Sequence, residues 1–104
     1  MKAETESVQL KLNDKGRGRF SIDDAEGNAI GEMDVAVSST DVVVYHTAVK
    51  PEHEGKGYAK KMFDAMAHLA RERKLNVVAL CPYVRKQFER NPDKFKDIWQ
   101  PGKK

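Results

Sequence analysis

The chain has 104 residues, of which 39% are hydrophobic and 34% are charged, and its formal net charge is +3. This length suits one domain with a modest core, and no segment approaches the ~20 apolar residues that a membrane span needs. The first residues lack the apolar region of a signal peptide. One cysteine excludes an internal disulfide framework and fits a reducing compartment. We therefore expect a single cytoplasmic domain over residues 1–104, frayed at 1–5 and 100–104.

Four segments in the first half of the chain have the composition and alternation of β-strands. They are residues 7–12, 18–23, 29–37 and 42–49. Short turns rich in Asn, Asp and Gly separate them, which predicts antiparallel neighbours. The run Val42-Val43-Val44 is the most β-prone part, and it predicts a central strand buried on both faces.

The second half alternates helix and strand. Apolar residues at helical spacing predict a helix from about Gly57 to Arg73. Residues 77–81 read as a short strand, which should lie parallel to the fourth because a crossover helix joins the two. Pro82 favours the start of a second helix over residues 83–90. Phe95, Ile98 and Trp99 should dock the tail.

The junction between the fourth strand and the first helix is the most informative segment. Gly55 and Gly57 lie one residue apart in a proline-marked turn. Glycines let the backbone approach a ligand closely, and the start of a helix offers unpaired N–H groups at its positive end. A ligand that carries phosphate is the natural occupant of such a junction.

This element order, with the pattern V-x-P-x-x-x-G-x-G-Y-A at residues 49–59 and the run LCPYVRKQF at residues 80–88, resembles the compact single-domain branch of the GNAT superfamily. The resemblance implies an α+β fold with a mixed sheet of about five strands and a short C-terminal helix. It also implies an acetyl-CoA-dependent N-acetyltransferase that moves an acetyl group directly to an amine. A non-catalytic module that binds coenzyme A or acyl-CoA is the alternative.

The resemblance further implies which residues hold coenzyme A. Main-chain groups near Ala48 and Val49 would pair with the pantetheine amides, and the helix start would cradle the pyrophosphate. The residues of that cradle are Glu54, Gly55, Lys56, Gly57, Tyr58 and Ala59, with Lys56, Lys60 or Lys61 as cationic contacts. Arg85 and Lys86 on the second helix would reach the cofactor phosphates, or else they are exposed basic residues that face solvent. The family signature usually begins with Gln or Arg where this chain has Glu52, and it often has Arg where this chain has Glu54, so both carboxylates are expected to point outward.

Acetyl transfer needs a neutral amine, a polarised carbonyl and a stabilised leaving thiolate. His46 on the fourth strand is a candidate base, or else a histidine that satisfies a hydrogen bond on the sheet. Cys81 at the end of the fifth strand is a candidate nucleophile or thiolate stabiliser, or else an inert buried residue. Tyr83 could be a general acid, although packing is the simpler interpretation, and His53 is expected to face solvent.

The acceptor is not identified by the sequence. Larger relatives have helices between their first two strands and a hairpin after the last helix, whereas here a tight turn joins those strands. The acceptor groove must therefore be open, completed by another subunit, or made for a large partner such as a protein or peptide. We expect a monomer or weak dimer, no metal site, and no membrane partner. Nucleic acid is disfavoured because basic and aromatic residues are not interleaved.

Overall fold

The computed structural model describes residues 8–99 and has one five-stranded sheet in the order β1-β2-β3-β4-β5. The strands are β1 (Val8–Leu12), β2 (Arg17–Asp23), β3 (Ala29–Val37), β4 (Asp41–Val49) and β5 (Asn76–Ala79). The first four are antiparallel and β5 is parallel to β4, which confirms the predicted mixed sheet. The expected fraying at 1–5 and 100–104 concerns residues outside the described part.

Three helices follow the first four strands in the chain. They are α1 (Tyr58–Arg73), α2 (Pro82–Arg90) and α3 (Pro92–Phe95), and a 3₁₀ turn covers Pro51–His53. The fifth strand ends two residues earlier than predicted, because Cys81 is the N-cap of α2 and not the last strand residue. Within residues 8–99 no helix is both long and apolar enough to cross a membrane.

The two faces of the sheet differ. The inner face packs on the helices, and its central side chains are fully or almost fully buried: Phe20, Ile22, Met33, Val35, Val42 and Val44. The outer face carries Lys11, Arg19, Asp34 and His46, and no element of the described chain covers it. Val43 belongs to the outer face and is partly exposed, so the expected burial of the Val42–Val44 run on both faces is wrong.

A β-bulge in β4 decides which side chains face the helices. Asp34 lies opposite His46, but the next residue, Val35, lies opposite Val44. Tyr45 is therefore an extra residue in β4, and it shifts the alternation of the side chains after it. Beyond the bulge Thr47 lies opposite the buried Met33 and faces inward.

The strands β4 and β5 separate at the same place. They are paired from Asp41 and Asn76 to Val44 and Ala79. At that end the Val44 carbonyl accepts two hydrogen bonds, from the N–H groups of Leu80 and Cys81, both at 3.0 Å. The chain then enters α2, so a gap opens between the C-terminal half of β4 and the start of that helix.

The C-terminal tail packs on the core through an aromatic cluster and through hydrogen bonds that the Arg71 side chain donates to it. Phe88 lies between Phe63, Phe95 and Trp99, with ring centroids 5.4, 5.2 and 5.1 Å away. The Arg71 guanidinium donates to the Asp97 carboxylate at 2.9 Å and to the Lys94 carbonyl at 2.8 Å. The predicted docking of the tail is confirmed.

The ion pair between Arg71 and Asp97 makes the free energy of unfolding depend on pH. Arg71 holds the pKa of Asp97 below its ordinary value, so the carboxylate stabilises the fold above its unfolded pKa of about 3.9 and ceases to do so as the pH falls through its lower folded pKa. Because the pair is exposed, we expect Asp97→Asn to lower the free energy of unfolding by about 0.2–1 kcal/mol at neutral pH. Urea titrations at several pH values measure this.

The matched control is Asp14→Asn, since Asp14 is exposed and has no ion-pair partner among the described residues. The difference between the Asp97 variant and the wild type should shrink as the pH falls below the unfolded pKa, and it should vanish once the pH is below the lowered folded pKa of Asp97. A difference that persists undiminished in acid would show that the asparagine disturbs packing and that the charge is not responsible.

Candidate active site

The turn before α1 exposes its backbone. Gly55 and Gly57 have φ angles of +82° and +86°, a region that L side chains rarely adopt. A Cβ atom built on either glycine would meet no atom within 4 Å. These glycines therefore leave open space directly over the main chain, where a ligand can approach it.

The N–H groups of this turn are available. The first helical hydrogen bond of α1 runs from the Lys61 N–H to the Gly57 carbonyl at 3.1 Å. No partner for the preceding amides occurs in residues 8–99, and these amides belong to Gly55, Lys56, Gly57, Ala59 and Lys60. The Glu54 N–H, by contrast, donates to the Pro51 carbonyl at 3.2 Å. The predicted cradle therefore begins at Gly55, because the Glu54 amide is already used.

The charges around the turn favour an anion. The first turn of α1 contains no acidic residue, and the helix start carries roughly half a positive charge. The Lys60 ammonium lies there and also pairs with Asp64 at 3.1 Å. Glu52 and Glu54 are both exposed, and Glu54 also lines the cavity beside this turn, so the outward orientation of the two carboxylates stays a prediction.

A cavity of about 300 Å³ lies beside these amides. Thr47 and Val49 of β4 border one side of it, and Tyr83 of α2 borders another. The Lys50 N–H donates to the Ile30 carbonyl at 2.9 Å, so it points toward β3. The N–H and C=O groups of successive residues alternate in direction along a strand. Those of Thr47 and Val49 therefore point away from β3 and into the gap. The cavity thus joins the open turn to the unpaired edge of β4.

The structure brings together most of the predicted cofactor residues. Those that border the cavity are Val49, Glu54, Gly55, Gly57, Tyr58 and Ala59. Ala48 does not border it, because it lies opposite Glu32 and its peptide points toward β3. Arg85 lies outside the cavity as well, exposed on α2 and paired with Glu89 at 3.2 Å. Lys56 is exposed and does not border the cavity either.

Cys81 lies beneath the cavity and not in its wall. Its side chain is 2% exposed, and its Sγ atom is 3.2 Å from the Thr47 hydroxyl. Thr47 thus stands between the thiol and the cavity. Sequence reasoning did not select Thr47, because the bulge that turns it inward leaves no local signal.

His46 lies on the other side of the sheet. It is exposed on the outer face, directly opposite Asp34. The sheet itself separates His46 from the cavity, which its neighbour Thr47 borders. The two predicted catalytic residues therefore occupy opposite faces, with Cys81 buried inside and His46 open to solvent.

Tyr83 is both packed and placed at the site. Its ring meets Phe63 edge-on at 6.5 Å, and the residue borders the cavity. Burial, reinforced by the Asp64 carboxylate, raises the pKa of the Tyr83 hydroxyl above its ordinary value. The hydroxyl therefore remains a proton donor throughout the neutral range.

His53 also belongs to the site. It is half-buried and borders the cavity, with its ring edge-on to Tyr58 at 5.9 Å, so the expectation that it faces solvent is wrong.

Among the described residues no three His, Cys, Asp or Glu side chains form a group that could hold a metal ion.

Among the solved structures that resemble this one are two with more than 25% sequence identity. A GCN5-like protein from Staphylococcus aureus shares 29% identity with a TM-score of 0.64, and the match covers 88% of this chain and 87% of that one. A ribosomal-protein-alanine N-acetyltransferase from Brucella melitensis shares 26% identity with a TM-score of 0.61, over 75% of this chain and 64% of that one. A comparison with curated proteins found no match.

A family model accounts for most of the chain. The model describes the GCN5-related N-acetyl-transferases, and it matches residues 19–98. This span runs from β2 to the docked tail, and it includes the open turn and all of the cavity wall. The chain therefore belongs to the GCN5-related N-acetyl-transferase family, and it is an enzyme of the N-acyltransferase class.

Proposed function

We propose that this enzyme uses acetyl-CoA as its acyl donor and transfers the acetyl group directly to the amine of a polypeptide. The observation that carries the proposal is a set of unpaired amides beside a cavity that continues along β4. These are the amides of Gly55, Lys56, Gly57, Ala59 and Lys60. A pyrophosphate needs several N–H donors at a helix start. An amide-bearing arm needs a free strand edge, and both are present here, in contact with each other.

Different main-chain groups bind different parts of the cofactor. The amides of Gly55, Gly57 and Ala59 hold the pyrophosphate, and the peptides of Thr47 and Val49 hold the pantetheine arm. Bound in this way, acetyl-CoA supplies an activated thioester carbonyl near the Val44 end of the gap. The open edge of β4 beyond its last bond to β5 supports this placement.

The two proton transfers of the reaction then take place on opposite faces of the sheet. The amine arrives from the outer face, and His46 accepts the proton that the amine loses as its nitrogen bonds to the carbonyl carbon. The carbon–sulfur bond breaks on the inner side, and Tyr83 donates a proton to the departing thiolate. The raised pKa of Tyr83 keeps that proton in place until it is needed.

The burial of Cys81 favours direct transfer. A thiol that accepts an acetyl group must reach the carbonyl carbon, but Cys81 is 2% exposed and is covered by Thr47. An inert, packed cysteine explains these contacts with no further step. The amine, in contrast, meets no obstacle on the outer face.

The openness of the outer face also supports a polypeptide as the acceptor. No wall among the described elements would hold a small amine there, since the outer side chains of β1 to β4 are exposed or only partly covered. A polypeptide brings its own contact surface and needs no preformed pocket. The Brucella relative is named for a protein acceptor, which agrees with this class of acceptor.

Acyl transfer itself is the first test. With acetyl-CoA and a panel of peptides that each carry one free amine, we expect release of free thiol with one acetyl group appearing per thiol on the peptide. Thiol detection and mass spectrometry measure the two products. Tight binding of acetyl-CoA with no acetylated peptide, and only slow hydrolysis, would instead support a non-catalytic module.

Cys81→Ala distinguishes the two routes in the same assay. Direct transfer predicts that kcat falls by less than about tenfold and that no acetyl adduct forms on the wild-type enzyme without acceptor. A trapped acetyl group on Cys81, together with loss of activity by a factor of about 10³ or more, would contradict direct transfer. Cys81→Ser serves as the more conservative variant because it keeps a hydroxyl beside Thr47.

A pair of glycine variants tests the turn. Gly57→Ala places a methyl group in the open space, so we expect about a tenfold loss of coenzyme A affinity, measured by calorimetry. Gly27→Ala is the matched control, because Gly27 has the same φ of +86° and equally open space in a distant turn. Each variant should lose about 1–2 kcal/mol of stability, and equal affinity in the two variants would argue against the assigned pyrophosphate site.

A further inference from the structure

We propose that Asp34 is the positioning residue for His46: its carboxylate receives and orients the imidazole when His46 takes up the proton of the acceptor amine. This inference rests on the proposed function, since it assigns a partner to the proposed base. It starts from the register of β3 and β4, which sets Asp34 directly opposite His46 on the outer face. Directly opposed residues have Cβ atoms about 4.5–5.5 Å apart.

The Asp34 carboxylate has an unused acceptor. Its Oδ1 atom is buried from solvent and accepts no hydrogen bond from the described residues. The Arg19 Nε atom lies 3.4 Å from that oxygen, at ion-pair distance but without hydrogen-bond geometry. A buried carboxylate oxygen without a donor is unfavourable, so a donor that appears opposite it will be held there.

His46 can supply that donor. The neutral imidazole has one N–H group and one acceptor nitrogen, so its N–H can donate to Asp34 while the other nitrogen accepts the amine proton. The imidazole is exposed, and among the described residues it has no hydrogen bond that would hold it elsewhere. Protonation then adds a positive charge opposite the carboxylate of Asp34.

The other charges that face His46 set the strength of this pairing. From β3, Glu32 lies diagonal to it; from β2, Arg19 binds both carboxylates, at 3.2 Å from Glu32 and 3.4 Å from Asp34. One guanidinium thus serves two carboxylates, and Asp34 keeps part of its negative charge for His46. Tyr45, the neighbour of His46 on β4, makes a cation–π contact with Arg17, whose guanidinium lies 4.8 Å from the ring centre.

The matched control comes from this arrangement. Glu32 lies on the same strand and face as Asp34, and it pairs with the same arginine. It lies opposite Ala48, however, and not opposite His46. Glu32→Gln therefore removes an equal charge from the same surface without removing the partner of the imidazole.

The experiment compares Asp34→Asn, Asp34→Glu and Glu32→Gln in the full chain. NMR of the His46 ring nitrogens, recorded without cofactor or acceptor, identifies which nitrogen carries the proton. We expect a single tautomer in the wild type and in Glu32→Gln, a mixture of the two tautomers in Asp34→Asn, and a single tautomer again in Asp34→Glu. Thermal melts show that each variant is folded.

Acetyl transfer to a peptide with one free amine provides the second readout. Asp34→Asn should lower kcat by about tenfold or more with KM for acetyl-CoA unchanged, whereas Glu32→Gln should change kcat much less. Equal effects of Asp34→Asn and Glu32→Gln, or a His46 tautomer that is the same in Asp34→Asn as in the wild type, would overturn the assignment. If no transfer occurs with any peptide while the His46 tautomer changes as expected, the pairing stands and the proposed function fails.

Discussion

The carbonyl group of Val44 fixes the arrangement of the whole site. It accepts the N–H groups of both Leu80 and Cys81 at 3.0 Å, and it is the last main-chain link between β4 and β5. Immediately after it, the extra residue Tyr45 breaks the register with β3. Because a strand with a bulge bends away from its former partner, the two parallel strands cannot stay paired beyond this point, and the edge of β4 is left open.

The open edge is useful because the chain continues from it directly into the glycine turn. β4 leads through a 3₁₀ turn into two glycines with positive φ and then into α1. The free edge of β4 and the free amides of the turn are therefore continuous, and the cavity runs along both. A ligand with an anionic end and an amide-bearing arm matches this arrangement better than a compact ligand does. In the proposed reaction, donor and acceptor meet through this gap from opposite faces of the sheet.

The order of elements and the open turn could be predicted from sequence because their causes are local. Gly55 and Gly57 show where the backbone is bare, and the β-prone run before them shows which strand leads there. The family pattern then gave the cofactor, and the family match confirms this interpretation at the level of acyl transfer.

The details that the sequence did not predict depend on pairing between strands. The bulge at Tyr45 is a property of the register with β3, and it decides that Thr47 faces the cavity while His46 faces solvent. Arg85 was expected near the phosphates, yet it lies four residues from Glu89 on a helix and pairs with it, as i,i+4 neighbours of opposite charge do. The burial of Cys81 depends on Thr47, which is distant in the sequence.

The most direct test of the proposed cofactor site is a titration of the protein with coenzyme A, monitored through the backbone amide resonances. We predict that the largest shifts occur at Gly55, Lys56, Gly57 and Ala59, with smaller shifts at Glu54, whose amide already has a partner. The resonances of α3 and of β1 should barely move. If coenzyme A binds while the glycine amides of this turn remain unchanged, the central claim is contradicted.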